Sequence, residues 1–344
     1  MTVETRTGLT RAALFDMMHA YKTTALLRTA VELGVFEQLA GGPLSVEAMA
    51  ARTGVVPRGA SILLHALAAV GLLDTVDGGF ALPAGGEELL VRGRPAYFGD
   101  MVHVVASDWE WDALKVLTKA VRGGGAVVSE HAETPRFGYW EDFAAYAGAV
   151  AGPTAAVLAD AIDGWAGRRE SLDILDVACG HGIYGFTVAA RHGNSRLWSL
   201  DWPNVLEVTA RHAERLGLRD RMHPLPGDMF TTPLGGPYDL VMVTNVLHHF
   251  SAERATELLR RLTAALKPDG RLVVVGFTRT DAPPERDPSP HLFSVLMLVW
   301  TAEGEVHSAG TYDEMLRAAG LIPAKEHTPP GLPLTIMVTQ PAST

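Results

Sequence analysis

The chain has 344 residues, which is enough for two domains of about 100–200 residues each. Its 47% hydrophobic and 20% charged residues are typical of a folded globular protein and exclude a disordered, collagen-like or fibrous chain. The 29 Lys and Arg residues face 39 Asp and Glu residues, which gives a formal net charge of −10. Because phosphate contacts need clustered cations, this balance disfavours nucleic acid or an anionic membrane as the principal partner.

The cysteine content and the N-terminal sequence indicate the compartment. Cys179 is the single cysteine, so it cannot form an internal disulfide. Residues 1–15 lack the basic start and uninterrupted apolar stretch of a signal peptide. No apolar run approaches the roughly 18–20 residues that span a bilayer. We therefore expect a cytoplasmic protein without a membrane partner.

The first part of the chain is predicted to form helices followed by a hairpin. Apolar residues recur near helical spacing over 26–39, Ser45 can cap a short helix, and Pro57 opens a longer one. Residues 72–82 then carry Asp77-Gly78, a pair typical of a tight hairpin turn. Helix, helix and hairpin is the order of elements in a winged helix.

A winged helix raises the question of DNA binding. A helix that reads DNA usually carries several Lys or Arg residues, whereas residues 56–70 offer only Arg58 and His65 among Leu and Ala. This pattern favours packing against protein, and the excess apolar faces predict the surface of a homodimer. We assign residues 1–95 to this winged-helix-like dimerisation domain.

The remaining residues, 96–344, are predicted to form a helical, aromatic-rich connector and then an α/β domain. From residue 172 onward, predicted strands alternate with predicted helices. The strands are 172–177, 197–201, 238–244, 271–277 and 334–340, and the helices are 183–191, 204–216, 253–266 and 311–319. Such alternation is typical of a parallel, doubly wound, Rossmann-like sheet with helices on both faces.

The segment LDILDVACGHGIYG, residues 172–185, carries the first binding signal. An apolar strand runs into Gly180-His181-Gly182, which opens the next helix. Glycines there let a ligand approach the backbone where a Cβ would obstruct it. No G-K-[ST] follows, so the turn is not a phosphate-binding P-loop. The pattern is typical of a nucleotide-type binding turn.

Two further segments extend this candidate site. Asp201 ends the next predicted strand, about twenty residues beyond the glycines, where an acidic side chain accepts hydrogen bonds from ribose hydroxyls. Asp228 and Met229 then offer a carboxylate for an exocyclic amine beside an apolar side chain for the face of a purine. No segment obviously provides for a pyrophosphate.

Together with a strand that ends in NVLHHF, residues 245–250, these segments resemble the class I S-adenosylmethionine-dependent methyltransferases. The opening helices and hairpin narrow the resemblance to the small-molecule O-methyltransferases, a family of plant caffeate and flavonoid enzymes and bacterial antibiotic-tailoring enzymes. The resemblance covers nearly the whole chain. It implies S-adenosyl-L-methionine as cofactor and a small, largely apolar acceptor, expected to be a hydroxyl of an aromatic or polyketide natural product.

The resemblance also implies a cofactor-binding set. The turn glycines would lie against the methionine part, the strand-end carboxylate would bind the ribose, and the Asp-Met pair would hold the adenine, with a tryptophan nearby. The full expected set is Asp176, Gly180, Gly182, Asp201, Trp202, Asp228, Met229 and Asn245.

His248 is the expected catalytic residue. In the O-methyltransferases a histidine at this strand end, usually followed by Asp-Trp, takes the proton from the acceptor hydroxyl. An ordinary pKa of about 6.5 leaves a histidine mostly neutral at pH 7 and able to accept a proton. Holding the nucleophile in line with the sulfonium methyl supplies much of the remaining acceleration.

The chain departs from the family around this histidine. It has His248-His249-Phe250 in place of His-Asp-Trp. The two glutamates that orient the histidine in the plant enzymes align near Gly276 and Ala309, and neither residue can orient an imidazole. Glu305 and His307 are the candidate substitutes, since they lie near the second lost glutamate in the sequence.

The pair His248-His249 also raises the hypothesis of a metal site. Adjacent residues on a strand point to opposite faces and rarely bind the same ion, and no third ligand has a suitable spacing. His291 and His307 are the later histidines to check. We therefore expect no metal.

The resemblance further suggests which residues line the acceptor pocket. A Met-Leu helix that lines this pocket in the family matches residues 296–300, and the aromatic-rich connector closes the pocket in relatives. The expected acceptor-binding residues are His103, Trp140, Phe143, His249, Met297 and Trp300.

Three alternative functions stay open. The same fold supports C- or N-methylation, in which the nucleophile needs less help from His248. Some family members bind the cofactor and catalyse hydroxylation, decarboxylation or pericyclic chemistry. A winged-helix regulator that senses a ligand would be supported by a basic patch on residues 57–70, which the sequence lacks.

Overall fold

The computed structural model describes residues 8–127, 131–135, 137–329 and 334–342. The chain divides into two compact units, residues 1–107 and 108–344. The boundary expected after residue 95 falls inside the first of these units.

The first unit is mostly helical and contains a small hairpin. Its elements are α1 (Arg11–Glu32), α2 (Val35–Leu39), α3 (Val46–Thr53), α4 (Pro57–Ala69), β1 (Asp74–Val76), β2 (Gly79–Ala81), α5 (Gly86–Leu90) and α6 (Val102–Val105). The Ser45 hydroxyl accepts a hydrogen bond from the N–H of Ala48 and caps α3, as predicted. The hairpin turns at Asp77-Gly78, where Gly78 has a φ of 85°, which confirms the predicted hairpin.

The second unit is built on a seven-stranded sheet with the strand order β5-β4-β3-β6-β7-β9-β8. Its strands are β3 (Leu172–Val177), β4 (Ser195–Asp201), β5 (Met222–Pro226), β6 (Tyr238–Thr244), β7 (Leu266–Phe277), β8 (Lys325–His327) and β9 (Leu334–Thr339). Its helices are α7 (Asp108–Lys115), α8 (Leu117–Gly123), α9 (Tyr139–Tyr146), α10 (Gly148–Ala166), α11 (Ile183–Arg191), α12 (Pro203–Arg215), α13 (Ala252–Ala264), α14 (Pro288–Trp300) and α15 (Ala309–Ala318).

Two hydrophobic layers cover the two faces of this sheet. On one face Leu175 and Val241 pack with α13 and α15, and on the other Ile174 and Leu240 pack with α10 and α11. β3 and β6 are buried along nearly their whole length, and their mainly apolar residues do not alternate regularly with polar ones. The predicted doubly wound arrangement, with helices on both faces, is confirmed.

The edge of the sheet differs from the prediction. β9 pairs antiparallel with both β7 and β8, so the sheet is not parallel throughout. β5 and β8 were not predicted, because both are short and mostly polar or exposed. β7 begins at Leu266, whereas the predicted strand begins at residue 271, so residues 266–270 belong to the strand and do not separate it from the preceding helix. An apolar run does not reveal its pairing direction, so the sequence could not distinguish the two kinds of edge.

Among the described residues, no single helix is long and apolar enough to cross a membrane. One bent pair, Tyr139–Tyr146 with Val150–Ala166, meets the criteria of length and composition only when its two helices are taken together.

Candidate active site

A cavity of about 180 Å³ opens at the carboxyl ends of the central strands of the second unit. β4 lies on one side of β3 and β6 on the other, so the chain reverses its direction of winding at this point. Open α/β sheets bind ligands at such switch points. The wall includes Trp140, Phe143, Gly180, His181, Tyr184, Asp201, Trp202, Asp228, Met229, Phe230, Asn245, His249 and Arg254.

The glycine turn between β3 and α11 forms one wall. Ala178, Gly180 and Gly182 all have positive φ, at 52°, 52° and 73°, which brings the backbone round sharply into the helix. A Cβ on Gly182 would lie 2.5 Å from the ring of Phe186, so a side chain does not fit there. Gly180 instead borders the cavity, where a Cβ would lie 3.7 Å from Phe143. The turn therefore leaves its backbone open to a ligand.

Asp201 ends β4 beside this turn. One carboxylate oxygen accepts a hydrogen bond of 2.8 Å from the N–H of Gly180, and the other accepts one of 2.8 Å from the N–H of Trp202. Burial raises the pKa of Asp201 to about 6, although these two N–H donors oppose the rise. The side chain is thus fixed by the backbone of two segments.

Asp228, Met229 and Phe230 form the far wall, after β5. The carboxylate of Asp228 accepts a hydrogen bond of 2.7 Å from the N–H of Phe230. The guanidinium of Arg254 lies 3.7 Å over the Phe230 ring. This end of the cavity therefore combines a carboxylate with apolar and aromatic surface.

Asp176 and Asn245 occupy different depths. Asp176 is completely buried in β3 and is not among the described residues that line the cavity, and burial raises its pKa well above the ordinary value. Asn245 follows β6, lines the cavity and has a φ of 53°. Its Nδ2 donates to the hydroxyl of Tyr184 at 3.3 Å, whereas its Oδ1 is buried without a partner among the described residues.

His248 and His249 lie on a short 3₁₀ turn, Leu247–His249, and not on the strand as expected. Their rings therefore do not point to opposite faces: the ring centroids are 4.8 Å apart and the planes meet at 33°. Burial lowers the pKa of His249 to about 4. Burial, together with the neighbouring His249 and His307, lowers the pKa of His248 well below its ordinary value. Both imidazoles are neutral at pH 7.

The two histidines have different surroundings. His249 lines the cavity and meets the edge of Trp140, with ring centroids 5.3 Å apart. His248 is only 2% exposed. Its ring packs edge-on against those of Phe293 and Phe277, with centroid distances of 5.0 Å and 6.1 Å. Its Nδ1 is buried without a hydrogen-bond partner in the part of the chain that the structure describes.

The candidate substitutes for an orienting carboxylate do not contact Nδ1 of His248. A Cβ on Gly276 would lie 4.0 Å from this nitrogen, so the position is adjacent but carries no side chain. Nε2 of His307 lies 3.1 Å from the carbonyl oxygen of Phe250. Glu305 is more than half exposed and lies 3.7 Å from Arg279. His248 is held by aromatic packing alone, as far as the described residues show.

The remaining expected acceptor residues are dispersed. Phe143 lines the cavity and stacks on His181, with centroids 5.8 Å apart. Met297 and Trp300 are buried in α14 and lie outside the described cavity wall, although the Trp300 ring is 4.4 Å from that of Tyr139. His103 belongs to α6 of the first unit, where its Nε2 lies 3.9 Å from Asp100.

Several wall residues were missed by the sequence analysis. His181, Tyr184, Phe230 and Arg254 line the cavity although none was singled out. His181 had a usable signal, because it is the middle residue of the glycine turn. Arg254 had none, because it lies in the first turn of α13 and reaches the cavity only through the fold. The described residues contain no group of three or more His, Cys, Asp or Glu side chains that could hold a metal ion.

Comparison with known proteins identifies the family. A model of the O-methyltransferase dimerisation domain matches residues 15–90, and a model of the O-methyltransferase domain matches residues 160–322. The mitomycin biosynthesis 6-O-methyltransferase of Streptomyces lavendulae is 31% identical over 314 residues, which are 88% of this chain and 86% of the relative.

Two further relatives agree. The 3-hydroxy-5-methyl-1-naphthoate 3-O-methyltransferase of Streptomyces sahachiroi is 29% identical over 315 residues, covering 89% of this chain and 88% of the relative. The solved structure of a candidate O-methyltransferase from Nostoc punctiforme superposes with a TM-score of 0.88 at 28% identity, covering 96% of this chain and 99% of the other. The chain belongs to the family of S-adenosylmethionine-dependent O-methyltransferases of the natural-product type.

Proposed function

We propose that this enzyme methylates a hydroxyl of a small, largely apolar aromatic or polyketide metabolite. The observation that carries the proposal is the convergence of the glycine turn, Asp201 and His249 on one cavity, with His248 next to His249 on the same 3₁₀ turn and outside the described cavity wall. Trp140 and Phe143 add aromatic surface, which suits a flat, apolar acceptor. The two similar Streptomyces enzymes are named for a naphthoate and for mitomycin biosynthesis, and these names support the same class of acceptor.

The chemistry of the cavity residues fits the cofactor. Gly180 leaves open backbone for the methionine part, and Asp201 lies where the ribose hydroxyls would donate hydrogen bonds. Asp228 and Met229 provide the carboxylate and apolar contact that an adenine needs, and Trp202 borders the same region. Asp176, buried beneath this wall, would act on the cofactor through the turn rather than by contact.

When bound, S-adenosylmethionine supplies a methyl group that is electrophilic because it is attached to a sulfonium. The task of the chain is to bind the acceptor, exclude water and remove the hydroxyl proton. Neutral His248 would accept that proton as the acceptor oxygen takes the methyl group, and the electron pair of the broken methyl–sulfur bond would stay with the sulfur. Because no carboxylate among the described residues holds Nδ1 of His248, the imidazolium gains little stabilisation, and positioning of the acceptor supplies much of the acceleration.

The product distinguishes O-methylation from the alternatives. Incubation of a panel of phenols and naphthols with cofactor carrying a deuterated methyl group should give labelled methyl ethers, identified by mass spectrometry and NMR. A label found on carbon or nitrogen would instead assign C- or N-methylation, which the weakly supported His248 also permits. A substrate consumed without label transfer would assign non-methylating chemistry.

We also propose that the enzyme is a homodimer formed through its first unit. The dimerisation model matches residues 15–90. Along α1, Phe15, Met17, Met18 and Tyr21 are each more than 60% exposed, and apolar patches of this kind usually need a protein partner. Light scattering at micromolar concentration should give twice the 36.8 kDa chain mass, and the double variant Phe15→Glu, Met18→Glu should lower it. A wild-type monomer would contradict the proposal.

A further inference from the structure

The middle residue of the glycine turn, His181, has no assigned role. It is only 4% exposed, yet it lines the cavity. The Phe143 ring stacks on it, with ring centroids 5.8 Å apart and an interplanar angle of 24°. The centroid of the Tyr184 ring lies 5.7 Å from that of His181, and the two planes meet at 35°. Its orientation is therefore fixed by aromatic neighbours.

Hydrogen bonding determines the tautomer of His181. The N–H of Ile183 donates to Nδ1 at 3.1 Å, so this nitrogen carries the lone pair. Burial, helped by the nearby His212, lowers the pKa of His181 to about 3, so the ring is neutral at pH 7. A neutral imidazole with its lone pair on Nδ1 carries its hydrogen on Nε2. No described residue accepts a hydrogen bond from this Nε2–H.

Asn245 offers the opposite polarity close by. Its Nδ2 donates a hydrogen bond to the hydroxyl of Tyr184, and the ring of the same tyrosine contacts His181. Its Oδ1 is a buried acceptor without a described partner. Unpaired buried polar groups are uncommon because they cost free energy. A lone donor and a lone acceptor thus flank one tyrosine at the cavity wall.

The charges around the cavity limit what such a pair can bind. Glu133, Asp201 and Asp228 are the carboxylates of the described wall, and Arg254 is its one cationic side chain. Arg254 is held at the far end, over the Phe230 ring and 2.5 Å from Glu257. A ligand carboxylate at the glycine turn must therefore be held by neutral donors.

We propose that Nε2–H of His181 donates a hydrogen bond to the carboxylate of the cofactor's methionine part, while Oδ1 of Asn245 accepts one from its ammonium group. The two ends of an amino acid match this donor and acceptor. The inference rests on the proposed placement of the cofactor, with its methionine part at the glycine turn.

The test compares two ligands that differ only in the amino-acid part. S-adenosylhomocysteine contains it, and 5′-methylthioadenosine lacks it. His181→Asn keeps an acceptor at the position of Nδ1 but has no Nε2–H. By calorimetry, this variant should bind S-adenosylhomocysteine at least about tenfold more weakly, the usual loss for a hydrogen bond to a charged group. Its affinity for 5′-methylthioadenosine should stay within about twofold of wild type.

Asn245→Gly is the matched variant on the other side. Glycine adopts a φ of 53° without strain, so the backbone is preserved while the amide is removed. It should show the same selective loss. If either variant loses affinity equally for both ligands, its residue only shapes the wall and the proposal is overturned. If neither ligand is affected, the proposal is overturned as well.

A measurement without variants covers the case in which a variant does not fold. In wild-type protein labelled with ¹⁵N-histidine, the Nε2 resonance of His181 should shift on adding S-adenosylhomocysteine and not on adding 5′-methylthioadenosine. If the resonance does not shift, the hydrogen bond is refuted.

Asp201→Ala distinguishes a failure of this inference from a failure of the proposed function, because it should weaken the binding of both ligands. If both ligands still bind it normally, the placement of the cofactor itself is wrong.

Discussion

The two sides of the cavity differ in how their polar groups are partnered. On the side that we propose binds the cofactor, called the cofactor side, Asp201 and Asp228 accept hydrogen bonds from backbone N–H groups, so their positions are fixed before any ligand binds. On the histidine side, His248 and His249 lie among aromatic rings, and Nδ1 of His248 has no partner among the described residues.

This difference separates two tasks. Charged groups held by the backbone suit recognition of a polar cofactor, because they do not have to reorganise on binding. Neutral imidazoles packed by aromatic rings suit an apolar acceptor and a weakly assisted proton transfer. The comparison implies that substitutions on the cofactor side change affinity, whereas substitutions on the histidine side change rate and pH dependence.

The largest expected effect is at His248. His248→Ala should lower kcat by about 10², the lower end of the usual contribution of general base catalysis, because Nδ1 has no carboxylate partner in the part of the chain that the structure describes. The affinity for S-adenosylhomocysteine should stay within about twofold. Single-turnover methyl transfer and calorimetry measure the two quantities.

His249→Ala is the neighbour control for this prediction. The two rings share one turn, so the control does not depend on their facing opposite sides of a strand. We expect a loss of less than about tenfold in kcat, because His249 lines the wall and is not the expected base. A larger loss at His249 than at His248 would transfer the role of base to His249.

Asp201→Ala should give the next largest effect. Removing a carboxylate that hydrogen-bonds ribose hydroxyls should weaken binding of S-adenosylhomocysteine by about 1.5–3 kcal/mol. Glu214→Ala is the matched control, since this carboxylate lies exposed on α12 away from the cavity wall and should leave affinity unchanged. A folded Asp201→Ala protein with wild-type affinity would remove Asp201 from the cofactor site.

The third effect is on stability as pH changes. Burial lowers the pKa of His249 to about 4, below the value of about 6.5 in an unfolded chain. Between these two pKa values the unfolded state binds more protons than the folded state. The free energy of unfolding is therefore highest above about pH 6.5 and decreases as the pH falls towards 4. Each such histidine contributes a slope of at most about 1.4 kcal/mol per pH unit.

His249→Phe tests this slope because it keeps an aromatic ring against Trp140 and cannot titrate. Urea unfolding between pH 4 and 7 should show a flatter decline in the free energy of unfolding than in wild type. His223→Phe makes the same substitution at an exposed ring beside Trp198 and is the control for the change of residue type itself. Equal slopes in all three proteins would contradict the burial of a neutral His249.

The cofactor side of the site was largely predictable from the sequence, and the histidine side was not. Gly180 and Asp201 lie at the carboxyl ends of β3 and β4, two predicted strands that pair in parallel, so these ends meet at one edge of the sheet. Asp228 follows β5, a strand that the sequence did not predict, and its role was expected from the Asp-Met pair and the family resemblance. His248 and His249 depend instead on a 3₁₀ turn after β6, which alternation along a strand does not predict.

The fold shows the same division. The doubly wound centre follows from alternating strands and helices, whereas the antiparallel β9 depends on how the chain returns along the edge. The lowered pKa values of the histidines depend on burial by Phe293, Trp140 and other rings that are distant in sequence. Local pattern cannot supply contacts of this kind.

The smallest expected effect distinguishes the two aromatic side chains of the wall. The ring of Trp140 packs against that of His249, with centroids 5.3 Å apart, and its Nε1–H donates a hydrogen bond of 2.9 Å to the carbonyl oxygen of Ala132. Trp202 instead lies next to Asp201, whose carboxylate accepts a hydrogen bond from its backbone N–H. Trp140→Leu should raise the KM for an aromatic acceptor about threefold to tenfold, because an aromatic contact contributes about 0.5–1.5 kcal/mol. Trp202→Leu should instead weaken binding of S-adenosylhomocysteine by a similar factor. If both variants changed the same quantity, the acceptor and the adenine would share one aromatic wall, and the division between the two sides of the cavity would fail.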